Sequence, residues 1–163
     1  MATVDETHKI YTDQTGKFLI TSSRGNKYIL IMYLYDDNSN LTSPVNSRSV
    51  RHTLEAFTKQ VEHITTIEYI PWVHWLDNEA LASLNKYNKQ KDIEYQLATP
   101  HIHPVNAAEW AIRTWKDHFF AGISSTYICF PMHLWCRLIL QATMKIKMMR
   151  PCRKIQLYWH KQS

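Results

Sequence analysis

The hydrophobic residues in the first third of the chain follow the pattern of strands. Residues 27–35 (KYILIMYLY) are almost wholly apolar, which predicts a central strand that is covered on both faces. The preceding residues 8–20 predict a strand, a tight turn and a returning strand, with Asp13 at the end of the first. Residues 41–47 predict a short strand at the edge of the sheet, where Pro44 is tolerated.

From residue 50 onward the apolar period lengthens to that of a helix. One apolar stripe is formed by Val50, Leu54, Phe57, Val61 and Ile64. Its spacing predicts a helix with Ser49 as the N-cap. The later predicted elements are a strand over 66–76, a polar helix over 78–90, a strand over 92–98, the helix described next, and a helix over 132–149. This order predicts an α/β fold with a five-stranded mixed sheet flanked by helices.

The stretch from Thr99 to Phe119 predicts a loop followed by an amphipathic helix. Two prolines interrupt regular structure, and Asn106 with Glu109 forms an N-x-x-E capping pattern at the predicted helix start. An apolar stripe follows, formed by Val105, Ala108, Ile112, Trp115 and Phe119. Glu109, Arg113 and Lys116 form a second stripe beside it. The helix is therefore predicted to pack on one side and to present one acid and two bases at its edge.

Charge is distributed unevenly along the chain. Residues 110–163 contain nine Lys or Arg and one acid, a net charge of +8, whereas residues 1–109 contain ten bases and thirteen acids, a net charge of −3. A basic C-terminal third indicates a polyanionic partner such as nucleic acid. A basic surface without such a partner explains the same charges equally well.

The cysteines and the N-terminal residues point to an intracellular protein. The chain has three cysteines, an odd number, and its first residues contain no apolar segment of a signal peptide. We therefore expect a reduced protein of the nucleus or cytoplasm. The longest stretch without Lys, Arg, Asp or Glu contains Gly, Pro, Ser, Thr and His, so we expect no membrane partner.

Three acids fall at the ends of predicted elements. Asp13 lies at the end of the first strand, Asp77 follows the fourth, and Glu109 lies in the first turn of a predicted helix. Adjacent strands would bring the two aspartates together, and clustered carboxylates suit Mg²⁺ or Mn²⁺. Each acid also has a structural explanation, because Asp13 fits a turn, either Asp77 or Asn78 fits an N-cap, and Glu109 fits a capping box. The residue pattern leaves both interpretations open.

Several spaced segments resemble the catalytic core of retrotransposon and retroviral integrases. They are TDQTGKF, SSRGNKYILIMYLYDDN, WLDNEA and IEYQLATPHIHPVNAAEWAIRTWKDHF, and the resemblance runs from about Tyr11 to about Arg153. It implies an RNase H-like fold and a catalytic, metal-binding triad of Asp13, Asp77 and Glu109. The implied cofactor is a pair of Mg²⁺ or Mn²⁺ ions.

The same resemblance implies a role in DNA integration, by 3′-end processing and strand transfer. We expect an integrase-like domain over 1–150 and an unassigned basic tail over 151–163. The expected partner is DNA, both element ends and target, contacted by Asn106, Arg113 and Lys116. We also expect a homo-oligomer that is made as part of a retroelement polyprotein.

The sequence departs from the family pattern at three positions near the implied site. Glu79 stands where the wider family has Gly, Trp110 stands where a basic residue is usual, and Pro104 stands where a basic or polar residue is expected. Trp110 is interpreted either as an exposed drifted residue or as a platform for base stacking. Two functional alternatives therefore stay open: a nucleic-acid-binding remnant that has lost catalysis, and an RNase H-like nuclease that does not join DNA ends.

Overall fold

A five-stranded mixed sheet forms the centre of the structure. The computed structural model describes residues 8–76, 82–97 and 103–153. In chain order their elements are β1 (Lys9–Gln14), β2 (Tyr28–Leu34), β3 (Ser39–Val45), α1 (Val50–Thr66), β4 (Val73–Leu76), α2 (Ala82–Gln90), β5 (Glu94–Leu97), α3 (His103–Ser124), a 3-10 helix (Met132–Arg137) and α4 (Ile139–Met149). The α/β class and the five-stranded mixed sheet with flanking helices are those predicted.

The strands lie in the order β3-β2-β1-β4-β5. β1 is antiparallel to β2, and Asp13 lies opposite Ile31. On its other side β1 is parallel to β4, with Tyr11 opposite Trp75. β3 is an edge strand that contains Pro44, as predicted. The carboxyl ends of β1 and β4 therefore lie side by side at the same end of the sheet.

Each face of the sheet has its own hydrophobic core, because side chains alternate along each strand. Ile10 belongs to one core, where it lies with Phe57 of α1. Tyr11 belongs to the other, with Trp115 of α3 and Trp135 of the 3-10 helix. Adjacent residues of β1 thus belong to different cores, one beside α1 and the other beside α3.

Capping and turn chemistry fix the beginnings of two elements. Ser49 is the N-cap of α1, and its hydroxyl accepts a hydrogen bond from the backbone N–H of His52 at 3.5 Å, as the sequence predicted. The turn between β2 and β3 places Asn38 at φ 49°, a left-handed conformation that Asn tolerates better than most residues. The predicted Ser49 cap is therefore confirmed.

The returning strand predicted within residues 8–20 is wrong. β1 ends at Gln14 and pairs with β2, and residues 15–20 form no strand, although the Phe18 N–H still donates to the Lys27 carbonyl at 2.9 Å. Phe18 instead stacks on Trp135, with 4.1 Å between the ring centroids, and Leu19 is fully exposed. The aromatic contact with a distant segment overrides the local turn signal.

The helix predicted over 132–149 is divided in two. Residues Met132–Arg137 form a 3-10 helix, and α4 begins only at Ile139. The indole Nε1–H of Trp135 donates a hydrogen bond to the Ile20 carbonyl at 2.8 Å. This contact, with the Phe18 stack, fixes the tighter turn where the apolar period alone predicted a continuous α-helix.

The start of α3 also differs from the prediction. The helix begins at His103, so Asn106 lies inside its first turn and is not its N-cap. Pro104, which was expected to interrupt structure, occupies the first turn, where backbone N–H groups have no acceptor within the helix. Glu109 therefore lies in the second turn and does not complete a capping box.

Candidate active site

Asp13 presents its carboxylate at the end of β1 toward α3. Side chains two residues apart share a face of a strand, so Asp13 lies on the same face as Tyr11 and the α3 core. Its Oδ2 atom is 2.5 Å from Nζ of Lys116, and its Oδ1 atom accepts the backbone N–H of Gln14 at 2.7 Å. The Asp13 side chain is 43% exposed, so solvent and ions can reach it.

The polar stripe of α3 is present as predicted. Glu109 and Arg113 are exposed and Lys116 is partly buried, whereas the other face of the helix is packed. The buried residues of that face are Ala108, Ala111, Ile112, Trp115 and Phe119. The stripe thus lies beside the end of the sheet at which β1 ends. Glu109 precedes Lys116 by about two turns, roughly 10 Å along the helix axis.

Glu109 is an exposed carboxylate without a structural partner in the part of the chain that the structure describes. It makes no ion pair or side-chain hydrogen bond with another described residue. Because α3 begins at His103, the capping explanation for this acid is wrong. The interpretation of Glu109 as a ligand of a metal ion therefore stays open, and its exposed carboxylate is accessible to an external ligand.

Two predicted site residues lie wholly or partly outside the description. Asp77 lies outside the described residues, one position beyond Leu76 at the end of β4. Asn106 belongs to α3 by its backbone, but its side chain lies outside the description. The structure thus brings Asp13 and Lys116 into contact and places Glu109 and Arg113 on the same helix edge.

A buried histidine ties β1 to β4 next to the site. His74 is fully buried between the Thr12 hydroxyl, 2.8 Å from its Nε2, and the Asn88 amide, 2.9 Å from its Nδ1. The amide N–H of Asn88 donates to Nδ1, so Nε2 carries the hydrogen that is donated to Thr12. Burial lowers the pKa of His74 to about 3, so the ring is neutral. The network thus holds the side chain of Thr12, the residue before Asp13, against β4.

Trp110, the departure next to Glu109, is 66% exposed. The guanidinium of Arg150 lies 5.8 Å from its ring centroid and also donates to the Ala111 carbonyl at 3.1 Å. Arg150, the residue after α4, thus lies over the Trp110 ring. Both interpretations of Trp110 require an exposed ring, so each is consistent with this position.

The described donors fit a hard divalent cation. Both Asp13 and Glu109 offer carboxylate oxygens, and Asp13 already holds the cationic ammonium of Lys116. Among the described residues, no three His, Cys, Asp or Glu side chains are grouped closely enough to hold a metal. A complete three-acid site therefore requires Asp77, which lies outside that description.

Sequence reasoning missed the contact between Asp13 and Lys116. The two residues are 103 positions apart, so no local spacing could indicate it. Lys116 was interpreted only as a DNA contact. The His74 network was also missed; its single sequence signal is a histidine within the apolar strand VHWL.

Two solved structures with this fold are retroviral integrase proteins. The chain is similar to the catalytic core domain of BIV integrase, with a TM-score of 0.59, 15% identity, and coverage of 82% of this chain and 81% of that one. It is also similar to a chain of the simian T-cell lymphotropic virus intasome in complex with PP2A regulatory subunit B56 gamma, with a TM-score of 0.61 and 13% identity. That match covers 82% of this chain and 47% of the other, so the chain spans about half its length.

The similarity confirms the RNase H-like fold of integrase catalytic cores that was predicted from the sequence. No protein-family model and no curated protein matches the sequence. Within the described residues, no helix is both long and apolar enough to cross a membrane.

Proposed function

We propose that this chain is the catalytic core of a metal-dependent polynucleotidyl transferase that processes DNA 3′ ends and joins them to target DNA. One observation supports this most directly. At the end of the central strand β1, the half-exposed carboxylate of Asp13 faces the polar stripe of α3 and pairs with the ammonium of Lys116. The fold is that of integrase catalytic cores, in which we expect the chemistry at this sheet edge.

The register of β1 and β4 supports Asp77 as a second acid of the site. Tyr11 lies opposite Trp75 in this parallel pair. Asp13 and Asp77 each follow these partners by two positions in the sequence. Because parallel strands end at the same end of a sheet, we propose from the sequence that Asp77 is the second acid of the site.

Asp13, Asp77 and Glu109 are the residues that would hold two Mg²⁺ or Mn²⁺ ions. When bound, such ions activate the attacking oxygen and stabilise the leaving oxygen of a phosphodiester. The three carboxylates supply the negative charge and oxygen donors that such ions prefer. The exposure of Glu109 supports this assignment, because its carboxylate needs no displacement from another described residue.

The bases of α3 would hold the DNA backbone beside the carboxylates. Arg113 is exposed on the same edge of the helix as Glu109, and Lys116 lies next to Asp13. Their cationic groups can bind successive phosphates. We propose Asn106 as a further contact with DNA, as the sequence resemblance implies. The net charge of +8 over residues 110–163 would attract DNA without sequence preference. We propose a homo-oligomer, since one structural relative is part of an intasome.

A strand-transfer assay with Mn²⁺ and a short duplex tests the proposal. We expect joined products from the unmodified chain and none from Asp13→Asn, which keeps the shape of the side chain but removes its charge. Asp117→Asn is the matched control, because Asp117 is an exposed acid of α3 outside the polar stripe. It should leave strand transfer unchanged.

The same assay distinguishes the alternatives. Cleavage without joining would favour an RNase H-like nuclease. Binding of DNA without cleavage or joining would favour a remnant that has lost catalysis. Activity that survives Asp13→Asn would overturn the site assignment.

A further inference from the structure

The pairing of Lys116 with Asp13 places a cation of the protein on a carboxylate of the candidate metal site. The Nζ–Oδ2 distance is 2.5 Å, and the second oxygen of Asp13 accepts the Gln14 N–H at 2.7 Å. Both carboxylate oxygens thus have protein donors. A Mg²⁺ ion needs an oxygen at about 2.0–2.1 Å, and an ammonium on the same oxygen would compete for that lone pair and repel the ion. Lys116 and a divalent ion therefore compete for Asp13.

Lys116 can leave Asp13 without disturbing the fold. Its side chain is 26% exposed, and its ammonium is the end of a flexible four-carbon stem. The packed face of α3 adjoins the polar stripe, and neither Asp13 nor Lys116 belongs to the buried core, so the ion pair is not part of the packed interior. The competition is between two partners of one carboxylate at the protein surface.

We propose that Lys116 acts as an internal counter-ion of Asp13 that a DNA phosphate draws away, so that DNA and the divalent ion strengthen each other's binding. This inference rests on the proposed function, because it assumes that Asp13 is a metal ligand. Arg113 is exposed one turn before Lys116, so a phosphate between the two bases meets two cations. Lys116 then exchanges one anion for another, and Asp13 becomes free for the ion.

The coupling follows from linkage. In the free protein the ion must displace Lys116, which weakens its affinity. In the complex with DNA the phosphate has already displaced it, so the ion binds more tightly. The same factor must strengthen DNA binding when the ion is present, because coupling between two binding equilibria is reciprocal.

Binding of Mn²⁺, measured from the free-ion signal in electron paramagnetic resonance, tests the inference without any activity. We expect Lys116→Met to bind Mn²⁺ about 5- to 10-fold more tightly than the unmodified chain in the absence of DNA. Adding a short blunt DNA duplex should tighten Mn²⁺ binding to the unmodified chain at least about fivefold. The same duplex should have little effect on Mn²⁺ binding to Lys116→Met. Titration of the duplex alone gives the ions that DNA itself binds.

The chain offers a matched control in a second ion pair. Lys59 and Glu55 of α1 are 2.8 Å apart and exposed, on the helix that covers the other face of the sheet. Lys59→Met removes the same charge and also frees a carboxylate. It should leave both the Mn²⁺ affinity and the effect of DNA unchanged. Lys116→Arg keeps the positive charge and should resemble the unmodified chain.

The outcomes separate this inference from the proposed function. If Asp13→Asn abolishes Mn²⁺ binding but Lys116→Met binds within twofold of the unmodified chain, the counter-ion role is overturned and the metal site stands. If Asp13→Asn has no effect on Mn²⁺ binding, both proposals fail. A thermal melt of each variant shows that it is folded, and Lys116→Gln replaces Lys116→Met if that variant is not.

Discussion

Glu109 shows how a single side chain separates structural from functional interpretations. It is exposed on α3, lies beyond the first turn of the helix, and has no ion pair with another described residue. Nothing in the described structure uses its charge. A charged group at such a surface position contributes little to stability. Its removal should therefore affect the binding of a ligand more than the free energy of unfolding.

We therefore expect Glu109→Gln to change the free energy of unfolding by less than about 0.5 kcal/mol when EDTA is present. The unmodified chain should gain about 1.4 kcal/mol from Mn²⁺ at ten times its Kd, or about 3–6 °C in Tm. The variant should lose most of that gain because the ion needs the anion. Thermal melts with Mn²⁺ and with EDTA measure both effects, and Asp117→Asn should retain the full gain. An equal gain in Glu109→Gln would remove this residue from the metal site.

His74 provides a second prediction at the level of one residue. Burial lowers its pKa from the ordinary value of 6.5 to about 3, so between these pH values only the unfolded chain takes up the proton. The stability that depends on the neutral ring is complete above pH 6.5 and is lost as the pH falls toward 3. At pH 5 this group should lower the free energy of unfolding by about 2 kcal/mol relative to pH 7.

Urea unfolding at the two pH values measures this effect. His74→Gln should be less stable at pH 7, because the buried ring no longer fills its place against Phe57. Its loss of stability from pH 7 to pH 5 should, however, be smaller than that of the unmodified chain by about the same 2 kcal/mol. His63→Gln, which changes an exposed histidine of α1, should keep the original pH dependence.

At the level of elements, α3 is the helix on which the candidate site depends, and its first turn includes Pro104 and Asn106. Asn is a weak helix former inside a helix and a strong one only at the N-cap. The observed start at His103 therefore reverses the expected effect of substituting Asn106. Its backbone is helical, so Ala should suit the position better.

Asn106→Ala is accordingly expected to raise the free energy of unfolding by a few tenths of a kcal/mol, about 0.5 at most. If Asn106 were the N-cap, the same change would lower it by about 1 kcal/mol. Chemical denaturation distinguishes the two signs. A clear loss of stability would place the helix start at Asn106 after all.

The elements that sequence could predict are those whose signal is local. The apolar run of β2, the helix period of α1 and the Ser49 cap each lie within one element, and the structure confirms them. The 3-10 helix was not predictable in this way, because Trp135 is held by contacts with Phe18 and Ile20, more than a hundred positions earlier.

The candidate site was predictable to the same extent. The sequence placed Asp13 at a strand end and Glu109 on the polar edge of a helix, because these positions follow from the period. It could not indicate that Lys116 reaches Asp13, since that contact depends on how α3 crosses the sheet. Residues that come into contact only through tertiary packing have no characteristic spacing in the sequence.

At the scale of the whole molecule, the bases of the last third surround the helix layer formed by α3 and α4. Arg113 and Lys116 lie on α3, and Lys145 and Lys147 are exposed on α4. Both pairs can attract DNA, but only the first lies along the polar stripe beside Asp13. The two pairs therefore make different predictions for the path of DNA.

Changing Arg113 and Lys116 to Ala should reduce the magnitude of the negative slope of log Kobs against log salt concentration by up to about 2. Fluorescence anisotropy of a labelled duplex over a salt series measures this slope. The matched double variant, Lys145→Ala with Lys147→Ala, removes the same charge and should change the slope less. A larger change of slope in the Lys145 and Lys147 variant than in the Arg113 and Lys116 variant would place DNA on the outer face of α4 and not along α3.

The pairing of β1 with β4 has a consequence for synthesis on the ribosome. Lys9 finds its partner only when Val73 has left the exit tunnel, because β1 lies between β2 and β4. Until then the β1–β2–β3 meander exposes a strand with unpaired backbone groups, a surface that favours association of nascent chains. Slower translation over residues 46–72 would lengthen that interval. The yield of folded protein should thus depend on codon usage in this segment more than on codon usage after β5.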